Sequence, residues 1–419
     1  MSMIEVHGLR PLKGEINVQG SKNAVLPMMA AAVLNHGTTI IHNVPRIQDV
    51  MCMMGILDSL GCCCTLTNHR LVIDAEHLTG TTISREEMGQ MRSSIMLLGA
   101  LLARSGEASV YYPGGCMIGK RPIDLHLMAL EKMGVCVDLN PEEECFRATA
   151  TCLEGAEVNF SFPSVGATEN AIFAATAADG CTQLHGCAEE PEIQELCHFL
   201  INMGAVIRGV GTGHLSIEGG FPLHDSEFTV GGDRIVAGTY LMAAAGVQGE
   251  ILITGIQSSQ LQDVIRHLKM MGANVYKEEQ LLYLKAEQRL KAISVKTETY
   301  PGFPTDLQPV MMTAMCRSKG VGIIEETIFE NRFRTVGELK KMGAHIEVHN
   351  DKAYISGCPR LKGTSVEAGD LRGGAALVSA GLAADGVTMI RCCKHILRGY
   401  EDICRDLQSL GADIQYMEE

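Results

Sequence analysis

Six times along the chain, an apolar segment of helical character ends in Leu-Gly or Met-Gly and runs into an alternating stretch. The glycines are Gly61, Gly134, Gly204, Gly272, Gly343 and Gly411, separated by 73, 70, 68, 71 and 68 residues. So constant a period is the mark of one supersecondary unit repeated in tandem. A glycine directly after an apolar helix is the residue expected to turn left-handed past the helix end.

Each repeat reads the same way inside. It opens with an Ala-rich helix, expected at Pro27–Leu34, Ser94–Ala103, Ala171–Ala178, Ala237–Ala245, Val310–Met315 and Ala375–Ala384. A small turn follows, such as Asn35-His36-Gly37 or Ala384-Asp385-Gly386, and then a β-branched strand such as Thr38–Asn43, Ile251–Thr254 or Val387–Arg391. A second helix ends at the marker glycine, and a closing strand such as Ala344–Val348 or Ala412–Tyr416 completes the unit. Helices so poor in charge must be buried on nearly every side. The expectation is an α/β protein with helices inside and sheets outside, arranged as two globes of three repeats with a cleft between them. A chain of 419 residues is too long for one ordinary core, which agrees.

Charge and cysteine usage remove several function classes. The formal net charge is −14, the wrong sign for a general nucleic-acid binder. The 16 cysteines include the run Cys62-Cys63-Cys64 but no C-x-x-C pair, so neither a zinc ribbon nor a disulfide framework is expected. Met1–Gly8 lacks the build of a signal peptide, and apolar runs such as Ala24–Leu34 fall short of a membrane span. A cytoplasmic protein that engages neither membrane nor nucleic acid is expected.

Unusual residues gather where the first helix of a repeat begins: Ser21-Lys22-Asn23, Met91-Arg92-Ser93-Ser94, Thr305-Asp306 and Asp370-Leu371-Arg372. Helix amino termini carry unpaired N–H groups and suit phosphate or carboxylate, although capping by Ser or Asp is the alternative at any single site. The segment Pro113-Gly114-Gly115-Cys116-Met117-Ile118-Gly119-Lys120-Arg121-Pro122 places one thiol beside two cations, a setting that raises thiol reactivity. Cys181, Cys197, Cys316 and Cys404 sit among apolar residues and read as small core residues.

Taken together, several runs resemble the UDP-N-acetylglucosamine 1-carboxyvinyltransferase family. They are Gly20-Ser21-Lys22-Asn23-Ala24, the cysteine loop through Ile123-Asp124-Leu125-His126, Phe303-Pro304-Thr305-Asp306, Phe329-Glu330-Asn331-Arg332-Phe333, Asp370-Leu371-Arg372 and His395-Ile396-Leu397-Arg398-Gly399-Tyr400. They occur in order over essentially the whole chain. The resemblance implies a pair of inside-out α/β barrels: residues 22–231 as the cysteine-loop domain, and residues 1–21 with 232–419 as the second. It also implies transfer of enolpyruvyl from phosphoenolpyruvate to UDP-N-acetylglucosamine by addition and elimination, with no cofactor or metal.

By the same resemblance, Cys116 donates a proton and is the target of fosfomycin-type epoxides. Asp306 is the base, and Lys22 and Arg398 also act in catalysis. Phosphoenolpyruvate is held by Lys22, Asn23, Arg121 and Arg398, with Arg332, Asp370 and Arg372 on the opposite wall. The nucleotide sugar is assigned to Asn23, Arg92, Arg121, Pro122, Ile123, Asp124, Leu125, Ser164, Val165, Gly166, Asp306 and Ile328. Three positions depart from the family pattern. Phe162 stands where some relatives have lysine, Val236 where glutamate is usual, and Val310 where glutamine is common. The two valines motivate the alternative of a catalytically weak or silent nucleotide-sugar-binding paralogue. A shikimate-type enolpyruvyl transferase is disfavoured, because Ser21-Lys22-Asn23 and Gln90-Met91-Arg92-Ser93 differ from its pattern.

Overall fold

The computed structural model describes residues 2–111, 119, 122–140 and 145–418. The chain divides into two compact units. The first is built from Met1–Gln19 and Gly232–Glu419, the second from Gly20–Cys116 and Arg121–Gly231. Glycine stands at both places where the chain leaves one unit for the other, and each packs too tightly for a side chain. A Cβ on Gly20 would lie 1.8 Å from the Asn43 carbonyl oxygen, and one on Gly232 would lie 2.1 Å from that of Gly255.

Each unit contains three repeats, and each repeat contributes one four-stranded sheet. The sheets share a plan of one parallel pair followed by two antiparallel pairs. In the second unit, Ser226–Thr229 runs parallel to Thr38–His42, so the end of its third repeat completes the sheet of its first. The first unit uses both chain ends. Ser2–His7 lies between Val387–Arg391 and Asp413–Glu418, antiparallel to each. The sheets remain separate, with a further two-stranded sheet pairing Leu361–Lys362 with Ala384–Asp385. The strands of each unit thus stay in separate sheets and do not join into one continuous barrel.

Helices fill each unit as the Ala-rich segments imply. The six inner helices span Lys22–Ala31, Leu97–Ser105, Val165–Ala177, Arg234–Gly246, Gln308–Cys316 and Leu371–Leu382. Almost every residue of Arg234–Gly246 is buried. Small residues let these helices approach: a Cβ on Gly99 would meet the Asn170 carbonyl oxygen at 2.5 Å, and one on Gly238 would meet Leu307 at 2.4 Å. Most strands alternate between buried and exposed positions, as in Thr38–His42 and Cys181–His185, so one face lies on the core and the other outside. Each unit has its own hydrophobic cluster.

Several observed helices start earlier than the apolar pattern suggests. Lys22, Arg234 and Arg372 lie in the first turn and are buried, so a reading based on hydrophobicity excludes them. Cys181 departs from its expected core position: it is the first residue of its strand and points outward, with its Sγ beside Ser216 and Gln183. Cys197, Cys316 and Cys404 are buried.

All six marker glycines have positive φ, from 85° at Gly343 to 105° at Gly204. At Gly272 an added Cβ would meet nothing within 4 Å, whereas at Gly61 it would lie 2.8 Å from the His77 carbonyl oxygen. Gly272→Ala should cost about 1–2 kcal/mol from left-handed strain alone. Gly61→Ala should cost more because its neighbours must also move. Urea unfolding of the two variants measures the order; equal losses would contradict it.

Candidate active site

Several of the expected site residues lie at or just before the amino-terminal ends of the inner helices. In the first unit, Asp306 lies in the turn Thr305–Leu307 that leads into Gln308–Cys316. Its Oδ2 accepts hydrogen bonds from Arg372 Nε at 3.1 Å and Nη2 at 2.9 Å. Its Oδ1 accepts from Arg332 Nη2, and Arg332 Nε also donates to the Thr305 carbonyl at 3.1 Å. Both guanidinium groups are buried while the carboxylate is partly exposed. Two arginines thus hold one partly exposed carboxylate, an arrangement that fixes direction as well as charge.

Arg372 belongs to the helix Leu371–Leu382, which Asp370 caps by accepting from Arg372 N and Gly373 N through Oδ1. Asp370 therefore shapes the helix start that presents Arg372. Arg398 is half-buried at the end of the turn Cys393–Arg398. Ile328 is tied by its backbone N–H to Glu326 Oε1 at 2.9 Å.

Glu326 is absent from the sequence assignment. This buried carboxylate also accepts from Phe329 N at 3.1 Å, and its Oε2 accepts from Thr305 Oγ1 at 3.0 Å. It joins the Ile328 loop to the residue before Asp306. A buried glutamate at the end of an apolar strand was the available signal.

In the second unit, Lys22 is 8 % exposed and its Nζ lies 2.7 Å from Oδ2 of buried Asp49. Asp49 opens the helix Gln48–Ser59 and was also missed. Asn23, half-buried, follows Lys22. Arg92 begins the short turn Arg92–Met96 before the next inner helix. Asp124 opens Asp124–Lys132, with Ile123 buried, Leu125 half-buried and Pro122 exposed ahead of the helix. Ser164 caps Val165–Ala177 through its Oγ, which accepts from Ala167 N at 3.4 Å. Gly166 lies against the ring of His126: a Cβ there would come 2.9 Å from Cε1.

The structure thus gathers Asp306, Arg332 and Arg372 in one unit. In the other, His126 lies against Gly166 and within the electrostatic reach of Arg92 and Asp124. Cys116 and Arg121 lie outside the described residues. Phe162 is 45 % exposed, and Val236 and Val310 are core residues of the first unit. No described helix is long and apolar enough to cross a membrane.

Glu169, on the same helix as Gly166, is 4 % exposed. Burial first, then the charges of Glu192 and Glu190, push its carboxyl up to about 8. Its folded-state value is raised, so its stabilising contribution is complete below about 4.5 and disappears as pH rises through about 8. Glu169→Gln should leave stability at pH 4.5 nearly unchanged and raise it progressively toward pH 9. Denaturant midpoints across that range test this, and a constant difference at all pH values would refute it.

Residues 6–407 match the family model described as EPSP synthase (3-phosphoshikimate 1-carboxyvinyltransferase). UDP-N-acetylglucosamine 1-carboxyvinyltransferase 2 of Caldanaerobacter subterraneus subsp. tengcongensis is 44% identical over 415 residues, spanning 99% of each chain. UDP-N-acetylglucosamine 1-carboxyvinyltransferase of Lawsonia intracellularis is 43% identical over 423 residues, spanning 100% of both. Among solved structures, the enolpyruvyl transferase NikO from Streptomyces tendae aligns with a TM-score of 0.89 at 25% identity, covering 99% of this chain and 98% of that one. EPSP synthase from Acinetobacter baumannii aligns at 0.78 over the full length of both chains, with 18% identity, a likeness of fold alone. The chain belongs to the EPSP synthase (3-phosphoshikimate 1-carboxyvinyltransferase) family and, within it, to the UDP-N-acetylglucosamine 1-carboxyvinyltransferases.

Proposed function

We propose that this protein transfers the enolpyruvyl group of phosphoenolpyruvate to the 3′-hydroxyl of UDP-N-acetylglucosamine, releasing phosphate in the first committed step of peptidoglycan precursor synthesis. The observation that carries the reading is end-to-end similarity, at more than 40% identity, to relatives that bear this activity in their names. A silent nucleotide-sugar-binding paralogue is not favoured. Val236 and Val310, the residues that suggested it, are buried apolar packing in the first unit.

The chemistry needs an acid, a base and positive charge for an anionic donor. The sugar oxygen attacks C2 of phosphoenolpyruvate while C3 takes a proton from the Cys116 thiol. The tetrahedral adduct then expels phosphate and loses a C3 proton, leaving the enolpyruvyl ether. Asp306 receives the hydroxyl proton in this account, and the geometry at Asp306 supports it: Arg332 and Arg372 aim the carboxylate, which is partly exposed. Both guanidinium groups also suit the carboxylate or phosphate of the donor. Lys22, with Arg121 and Arg398, supplies further cations, and Asn23 stands beside Lys22. Arg92, Pro122–Leu125, Ser164–Gly166 and Ile328 are the proposed contacts of the nucleotide sugar. Every described cysteine is a free thiol, which supports a reducing, cytoplasmic setting.

Phosphate release from phosphoenolpyruvate should depend on UDP-N-acetylglucosamine and not on shikimate 3-phosphate. Release with shikimate 3-phosphate alone would reassign the acceptor. Cys116→Ser should lower turnover by orders of magnitude. Cys116→Asp should retain turnover and escape alkylation by fosfomycin, which intact-mass measurement reads directly. A folded but inactive Asp variant would remove Cys116 from the acid role.

A further inference from the structure

The side chain of Asn170 is oriented by two backbone groups of the neighbouring inner-helix segment. Gly99 N–H donates to its Oδ1, and its Nδ2 donates to the Ile95 carbonyl at 3.1 Å. Turning the amide over would set N–H against NH₂ and C=O against C=O, so the assignment of oxygen and nitrogen is fixed by bonding. The second Nδ2 hydrogen faces His126 Nδ1 at 2.8 Å, a nearer acceptor than the Gly166 carbonyl at 3.4 Å. Because Asn170 presents only a donor there, Nδ1 must accept. The ring is then neutral and carries its proton on Nε2.

Burial, followed by the charge of Arg92, lowers the His126 pKa to about 4, against a smaller opposing effect of Asp124. These are the charged groups that act on the ring, from the turn Arg92–Met96 and from its own helix. His126 is 6 % exposed, and Nε2 has no partner among the described residues. That nitrogen lies 3.3 Å from where a Cβ on Gly166 would stand, so a larger residue at position 166 would cover it. The free donor edge therefore faces the Ser164–Gly166 segment.

We propose that Asn170 is a positioning residue that locks His126 in the Nε2–H tautomer, so that Nε2 offers a permanent hydrogen-bond donor to an anionic oxygen of the nucleotide sugar. The proposal rests on the assignment of Arg92, Asp124 and Gly166 to that substrate. The other tautomer would turn a lone pair toward the same oxygen and repel it. Asn170 itself touches no substrate; it acts through the ring, which stays neutral and keeps the donor across the ordinary pH range.

The test begins with the full-length protein labelled with ¹⁵N-histidine, the His126 signals being identified by their loss in His126→Gln. The expected spectrum has a protonated Nε2 and an unprotonated Nδ1 from pH 8 to pH 5.5. Saturating UDP-N-acetylglucosamine should shift the Nε2–H resonance, and phosphoenolpyruvate alone should not. A proton on Nδ1, a titration near 6.5, or no response to the nucleotide sugar would overturn the proposal. In Asn170→Asp a carboxylate faces Nδ1 and draws the proton there. The KM for UDP-N-acetylglucosamine should rise roughly tenfold or more, as expected for loss of a hydrogen bond to a charged group, while the KM for phosphoenolpyruvate stays within about twofold. Equal losses for both substrates would reduce Asn170 to a packing role and refute the assignment. If Asn170→Asp does not fold, the wild-type spectra decide alone. Failure of the transferase reading is seen separately, as phosphate release that ignores the nucleotide sugar while His126 still reports its binding.

Discussion

The inner helices have no polar face to spare. Each is surrounded by the core of its own unit, and small residues such as Gly99 and Gly238 are needed to let neighbours approach. Polar groups are therefore concentrated at and just before the amino-terminal end, where N–H groups are still unpaired, with Glu169 and Asn170 as exceptions deeper in one helix. This confinement explains why Lys22, Arg92, Ser164, Asp306 and Arg372 occupy corresponding places in different repeats. A repeat designed by packing alone produces six equivalent positions for polar groups, and chemistry can be distributed among them without disturbing the core.

The polar positions are supported by buried partners and not by solvent. Asp49 neutralises Lys22, and Asp306 is held by two guanidinium groups that are themselves buried. Removing one member of such a pair leaves an uncompensated charge, which costs about 3–5 kcal/mol. Glu326 plays a comparable part through hydrogen bonds alone, since it gathers two backbone N–H groups and the Thr305 hydroxyl. The reactive groups and their supports are thus one mechanical system, and the supports are more deeply buried than the groups they hold.

How much of this was legible depended on whether the signal was local. The marker glycines were, because a left-handed residue past a helix end leaves a trace at a fixed place in every repeat. So was the alternation of most strands. Helix starts were less so, because Lys22 and Arg372 are buried cations that break the apolar pattern while remaining helical. Cys181 looked apolar by its neighbours but faces outward, since strand parity and not composition decides its side. Asp49 and Asn170 could not be assigned from sequence: each draws its meaning from a partner distant in the chain, Lys22 for one and Gly99, Ile95 and His126 for the other. Val236 and Val310 suggested altered activity, but their burial makes them part of the packing.

The sheet built from Ser2–His7 and Asp413–Glu418 has a consequence for synthesis on the ribosome. Its register pairs Ser2 with Glu418 and His7 with Asp413, so a strand made before the inserted unit must wait for one made after it. The second unit draws its strands from between Gly20 and Gly231 and can close while translation continues. The strand Ser2–His7 meanwhile waits with both edges unpaired, open to other chains. The order of folding is therefore written into the connectivity, with the inserted unit able to mature first and the enclosing unit sealed when Asp413–Glu418 pairs with Ser2–His7.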